Sequence, residues 1–109
     1  MTTECATDVG ILAKLFRGLS DPSRLGIVQT LTAGERSVSQ IVEATGLSQP
    51  NVSGHLACLR DCGLVTSRTH GRSVIYALAD ERMEDLLLAA GDILCRVSGR
   101  LCACGRYEP

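Results

Sequence analysis

The feature that most constrains the fold of this chain is a pair of capped helices separated by a three-residue turn. Ser37 and Gln40 form the S-x-x-Q pattern of a capping box, so a short helix begins after Ser37. Gly46 supplies the left-handed residue that ends this helix, and Ser48 caps a second one that runs to about Asp61. This order predicts a helix-turn-helix.

Apolar residues at helical spacing predict two further helices before this pair. Asp8 caps the first helix, which extends through about Leu19. Asp21 caps the second, with Pro22 at its first position, and this helix extends through about Leu31.

Two short runs of alternating polarity, LVTSR and SVIYALA, flank residues 69–72 and predict a hairpin with Gly71 at its tip. A last helix is expected from Asp80 to about Ser98, and it is apolar over more than one stripe, as if it packs on its own domain and on a second subunit. The predicted fold class is mainly α: a winged helix-turn-helix of five helices and a two-stranded hairpin wing, forming a homodimer. We expect a DNA-binding and dimerisation domain over residues 1–98 and a flexible, cysteine-containing tail over residues 99–109.

Composition excludes several other classes of protein. A chain of 109 residues favours one domain, and its net charge of −1 gives no general attraction to nucleic acid, so DNA binding must depend on local placement of charge. The first residues lack the pattern of a signal peptide, and no run of about 18 apolar residues is present, so we expect a cytoplasmic protein with no membrane partner. No catalytic motif is found, and we expect that the chain is not an enzyme.

The polar residues at the start of the fourth helix and at the hairpin tip are candidates for DNA contact. A recognition helix reads the major groove from its N-terminal half, and a wing meets the backbone or the minor groove. The predicted DNA-binding residues are Ser48, Gln49, Asn51, Ser53, His55, His70 and Arg72. His55 lies in register with apolar positions, so it fits a packing or phosphate-contacting role better than a metal ligand.

Six cysteines in a chain without an export signal favour reduced thiols that bind metal or sense oxidants. Cys58 and Cys62 are four residues apart on one helix, where Cβ atoms lie about 5–6 Å apart, so they can offer two thiolates to one ion. A soft ion such as Cd(II), Pb(II), As(III) or Hg(II) requires a third thiolate, for which Cys102 and Cys104 are candidates.

Three segments of the chain resemble the hallmark segments of the ArsR/SmtB family of metal-sensing bacterial repressors: residues 19–31, 47–65 and 71–80. The resemblance extends over about residues 9–98. It implies a homodimeric winged helix that binds an inverted-repeat operator without metal and leaves it when a metal binds.

Within that family, the cysteine pattern is most similar to that of the cadmium- and lead-sensing type. The resemblance implies that Cys58 and Cys62 bind Cd(II) or Pb(II) together with a tail thiolate from the other subunit. Cys102 matches the tail position, and Cys104 is the alternative. Cys5 also resembles the N-terminal cysteine of that type, although a cysteine near a terminus is often a spectator.

Other ligand sets of the family fit less well. The C-V-C triplet of an arsenic and cadmium type is absent, and the last helix has no histidine for an interfacial zinc site. Cys95, between Leu94 and Val97, fits packing better than ligation. The alternatives that stay open are a repressor that responds to As(III) or Hg(II), a thiol redox switch on the same scaffold, and an interaction module that does not bind DNA.

Overall fold

The computed structural model describes residues 8–106, so Cys5 lies outside the described residues. In chain order the elements are α1 (Val9–Leu19), α2 (Pro22–Thr32), β1 (Arg36–Ser37), α3 (Val38–Thr45), α4 (Gln49–Asp61), β2 (Val65–His70), β3 (Ser73–Leu78) and α5 (Arg82–Ala103).

The side-chain caps predicted for the first four helices are confirmed. The backbone N–H of Ile11 donates to Asp8 over 3.1 Å, and that of Arg24 donates to Asp21 over 3.0 Å. In α3 both bonds of the capping box are present. Gly46 follows with φ +74°, the left-handed conformation that glycine adopts without a steric cost.

The core lies between α2, the helix-turn-helix and the first residue of the wing. Its buried side chains are Leu19, Ile27, Val28, Leu31, Ile41, Val52, Leu56, Leu59 and Val65. Because α3 and α4 both bury their apolar faces against α2, the predicted helix-turn-helix is held as one rigid unit.

The wing differs from the predicted two-stranded hairpin because the sheet has three antiparallel strands, in the order β1-β3-β2. Arg36 of β1 pairs with Tyr76 of β3, and a strand of two residues is too short to show a period in the sequence. The hairpin loop is also shorter than predicted, because His70 pairs with Ser73 and leaves two residues between the strands. Gly71 has φ +63°, as the first loop position of a type II′ turn requires.

The last helix is shifted at both ends relative to the prediction. It begins at Arg82 because the Asp80 carboxylate accepts the Arg82 N–H, and the Arg82 guanidinium beside Asp80 lowers the pKa of that carboxyl to about 2. It continues to Ala103, five residues beyond Ser98, since Leu101 extends its apolar stripe and no proline interrupts it. Cys102 therefore lies in the last turn of a helix.

Large apolar faces of α1 and α5 are exposed in the single chain. Phe16 is 51% exposed and Leu94 is 47% exposed, and α5 has no fully buried residue. Cys95 is exposed in the single chain as well, so a packing role for it would involve a second subunit and stays a prediction. Within residues 8–106 no helix has the length and apolar character needed to cross a bilayer.

Candidate functional site

Helix α4 presents its polar N-terminal half to solvent because its other face is bound to the core. Val52, Leu56 and Leu59 are buried against α2 and α3, whereas Gln49 and Asn51 are exposed. Ser48 accepts the backbone N–H of Asn51 over 3.3 Å, so its side chain caps the helix. The exposed half of α4 has the chemistry of a base-reading surface.

Two of the candidate base-reading side chains already bond to each other. The Gln49 amide donates to the Ser53 hydroxyl over 2.9 Å, one turn along the helix. The Asn51 side chain is exposed, and within residues 8–106 it has no hydrogen bond to another residue. The Asn51 amide therefore has all of its donors and acceptors available to a base edge, whereas one N–H of the Gln49 amide is already used.

His55 has a different position from the other candidates. It is half-buried, and its Nε2 lies 4.0 Å from the Asp21 carboxylate at the start of α2. The pKa of Asp21 is lowered mainly because its carboxylate accepts the backbone N–H of Arg24. The charges of Arg24 and His55 lower this pKa further. The geometry gives His55 a contact between α4 and α2, in agreement with its register among apolar positions.

Some basic side chains at the wing are exposed without a partner in the described residues, and others bond to neighbouring side chains. His70 and Arg72 are exposed at the hairpin tip, where they were predicted to meet DNA. Arg68 instead pairs with Glu35, and Arg60 of α4 donates to Ser67 of β2 over 3.4 Å. The Arg60–Ser67 bond joins the wing to the recognition helix, the Arg68–Glu35 pair joins it to the segment before β1, and both leave the tip free.

The structure brings Cys58 and Cys62 together at the C-terminal end of α4. Cys62 is the C-terminal cap, its N–H donates to the Cys58 carbonyl over 3.0 Å, and both side chains are exposed. Desolvation by the surrounding chain, then the charge of Cys58 and a hydrogen bond with its thiol, raise the pKa of Cys62. Two exposed thiols one turn apart on one helix end can chelate one soft ion.

The third thiolate does not come from the described part of the same subunit. Within residues 8–106 no three metal-ligating side chains lie together. Cys102 is exposed on the last turn of α5, and Cys104 is half-buried as the residue that caps that helix. Neither lies with Cys58 and Cys62 in the described part of the single chain.

Sequence reasoning missed one residue at the C-terminal end of α1, Arg24. Its guanidinium donates to the carbonyl of Gly18 over 2.8 Å and to that of Arg17 over 3.3 Å, and so caps the C-terminal end of α1. Gly18 and Cys62 line the same groove, of about 330 Å³, between α1 and the end of α4. Arg24 lies three residues after the helix cap Asp21 in the sequence, and that position does not predict the bond between its guanidinium and the end of α1.

An exposed polar recognition helix, a short turn and a hairpin beside it define a winged helix-turn-helix DNA-binding protein. Residues 21–67 match the family described as "Bacterial regulatory protein, arsR family".

Three known proteins illustrate the similarity. The probable mercury resistance operon repressor of Streptomyces lividans is 42% identical over 86% of this chain and 75% of its own length. The regulator CmtR of Mycobacterium bovis is 44% identical over 72% of this chain and 67% of its own.

The solved homodimeric winged helix-turn-helix domain of Mb0332 from Mycobacterium bovis superposes with a TM-score of 0.69 and 30% identity, over 84% of this chain and 87% of that one. This chain belongs to the arsR family of bacterial regulatory proteins. The family consists of transcriptional regulators, in agreement with the expectation that the chain is not an enzyme.

Proposed function

We propose that this protein is a dimeric repressor that binds operator DNA through α4 and the wing and releases it when a soft metal ion binds to cysteine thiolates. The observation that carries the proposal is the position of Cys58 and Cys62, one turn apart and both exposed, at the end of the recognition helix itself. An ion bound at one end of this helix acts on the element that reads DNA at the other end. Since its target is chromosomal DNA, the repressor acts in the cytoplasm.

The dimer follows from the exposed apolar faces of α1 and α5. Phe16 on α1 and Leu94, Val97 and Leu101 on α5 are each at least 40% exposed in the single chain. Contiguous apolar surface of this kind is typical of subunit interfaces. The homodimeric state of the Mb0332 domain supports the same arrangement here.

The proposed ligands are Cys58 and Cys62 of one subunit and Cys102 of the other, with Cys104 as the alternative. A trithiolate site suits Cd(II) or Pb(II), which are soft ions. The likeness to CmtR supports this assignment, because the solved CmtR of Mycobacterium tuberculosis is named a cadmium metal-sensor.

A second candidate inducer is Hg(II). The relative from Streptomyces lividans is named a mercury resistance operon repressor. Hg(II) is also thiophilic and accepts two thiolates, which Cys58 and Cys62 supply without help from a second subunit.

The redox alternative uses the same thiols. Oxidation and metal binding both require the thiolate, so the raised pKa of Cys62 opposes both and does not separate the two proposals.

The test titrates reduced protein with Cd(II), Pb(II) and Hg(II) and follows both the ultraviolet thiolate-to-metal band and the release of DNA from the intergenic region upstream of its own gene. Cys58→Ser and Cys62→Ser should each lose most of the Cd(II) band and the metal-driven release. Cys95→Ser is the matched control, because Cys95 is also an exposed helical cysteine, and it should behave as the wild type.

Release by peroxide without metal would replace the metal proposal with the redox alternative. Absence of any DNA complex at low salt would favour the interaction module instead.

A further inference from the structure

The hairpin of the wing is a basic element in a chain that is slightly acidic. Residues 65–78 include Arg68, His70 and Arg72 but no Asp or Glu, although the whole chain has a net charge of −1. Arg68 and His70 are two residues apart in β2, so their side chains lie on the same face of the strand, and both are exposed. The basic surface of the wing therefore continues from its tip back to Arg68.

Glu35 brings a carboxylate from outside the wing to this surface. It lies between α2 and β1, and its Oε1 accepts a hydrogen bond from Nη2 of Arg68, 33 residues further along the chain. Among residues 8–106 this is the one ion pair within 4.0 Å that includes a residue of the wing. The two side chains are 53% and 50% exposed, so water solvates both groups when they separate, and the separation costs little free energy.

A DNA phosphate is a second acceptor of the kind that Arg68 already binds. A guanidinium forms charge-assisted hydrogen bonds with carboxylates and with phosphates alike. A wing that lies on the DNA backbone meets closely spaced phosphates. A phosphate bound at Arg68 also comes close to the carboxylate of Glu35, which repels it, so Glu35 either separates from Arg68 or weakens the contact. In both cases Glu35 opposes the binding of DNA.

We propose that Arg68 is a further phosphate-binding residue of the wing, and that Glu35 competes with DNA for it and so lowers the affinity for DNA. The inference rests on the proposed function, since it requires the wing to contact DNA. A phosphate contact carries no sequence information, so the pair changes the binding of operator and of unrelated DNA by similar factors.

The experiment measures, by fluorescence anisotropy, the affinity of metal-free protein for operator DNA and for unrelated DNA at several salt concentrations. Arg68→Gln should weaken both complexes about three- to tenfold at low salt and reduce the slope of log K against log salt by about one, because one phosphate contact is lost. Glu35→Gln should strengthen both complexes about two- to fivefold, the range that corresponds to one exposed ion pair. Unchanged binding in Arg68→Gln would overturn the proposal.

A double variant shows whether the two residues act through each other. Adding Glu35→Gln to Arg68→Gln should change the affinity less than about 1.5-fold, because the cation for which Glu35 competes is already absent. If Glu35→Gln instead gives the same gain with and without Arg68, then Glu35 acts only as a distant negative charge and the proposal is overturned.

Glu43→Gln is the matched control for the loss of one negative charge. Glu43 is an exposed carboxylate on α3, and in the described part of the chain it has no ion pair within 4.0 Å. Its effect on affinity should be the same in the wild type and in Arg68→Gln. A dependence of this effect on Arg68 as large as that of Glu35→Gln would overturn the role given to Glu35.

If Arg68→Gln does not fold, Glu35→Gln alone still decides. Its slope of log K against log salt should be steeper than that of the wild type, because DNA binding no longer leaves behind a carboxylate that takes up a cation. Equal slopes would overturn the proposal. The absence of any complex between the wild type and DNA at low salt would refute the proposed function itself, and this outcome differs from all of those above.

Discussion

Cys62 combines two roles on one residue. It ends the recognition helix as its C-terminal cap, and its exposed thiol follows that of Cys58 by one turn. Asn51 and Gln49 lie at the opposite end of the same helix, on its exposed surface. In the proposed function, one helix therefore carries both the residues that contact DNA and two of the ligands that bind the metal ion.

The internal bond of Gln49 predicts that the polar residues of α4 contribute unequally to operator binding. Asn51→Ala should weaken binding to the specific operator by about 1–3 kcal/mol, the value of one base-reading side chain. Gln49→Ala should cost less, because the bond to Ser53 uses one N–H of the Gln49 amide and restrains how this side chain can face a base. Fluorescence anisotropy with labelled operator at one fixed salt concentration measures both losses.

Binding to unrelated DNA should change little in either variant, since phosphate contacts dominate there. A larger loss for Gln49→Ala than for Asn51→Ala would show that the bond to Ser53 does not restrain Gln49 in the complex.

The first four helices of this fold each begin after a residue whose side chain caps the helix. Asp8, Asp21, Ser37 and Ser48 each accept a backbone N–H in the first turn of the helix that follows. Helix α3 depends most on its caps, because it has eight residues and one fully buried side chain, Ile41. Short helices gain little from propensity, so their ends carry a large share of their stability.

Loss of the capping box should therefore destabilise the whole domain. Ser37→Ala removes the acceptor for the Gln40 N–H and should lower the free energy of unfolding by about 1 kcal/mol, as measured by urea denaturation. Ser39→Ala is the control: Ser39 is exposed in the first turn of the same helix, and this change should stay within about 0.5 kcal/mol. Equal effects of the two changes would mean that the cap is not what sets the stability of α3.

At the scale of the whole molecule, the single chain leaves apolar surface of α5 exposed to solvent. The C-terminal half of α5 has no buried residue, although Leu94, Val97 and Leu101 follow one another along its apolar stripe. The described residues also provide no third metal ligand beside the thiol pair. A second copy would cover the apolar surface, and the metal site would be completed at the same time.

A charge in the apolar stripe of α5 should therefore affect both assembly and metal binding. Leu94→Glu should convert the dimer to a monomer in sedimentation experiments, since burying an unpaired carboxylate is costly. It should also weaken Cd(II) binding, because the ligand from the other subunit is lost. Ala89→Glu introduces the same charge at an exposed position outside the stripe and should leave the dimer intact. A Leu94→Glu protein that remains a dimer would place the interface elsewhere.

Most of the fold could be predicted because its signals are local. Each cap depends on residues within one turn of each other, as Ser37 and Gln40 show, so the helix starts at Val9, Pro22, Val38 and Gln49 agree with the prediction. The third strand was missed because β1 is defined by its pairing with β3, almost forty residues away, and by no pattern of its own. The division into a domain of residues 1–98 and a flexible tail stays a prediction, although the helix now ends at Ala103.

The sequence by itself determined the helix-turn-helix, the hairpin and the placement of Cys58 and Cys62 on one face of a helix. Caps, turns and an i to i+4 spacing act over a few residues, so they can be seen in the sequence. Tertiary structure alone decided that His55 faces Asp21, that Arg68 pairs with Glu35, and that Arg24 caps the C-terminal end of α1. Those contacts join residues distant in the chain, and their partners are set by how α2 packs against α1 and α4. No local pattern encodes that packing, which only the assembled core fixes.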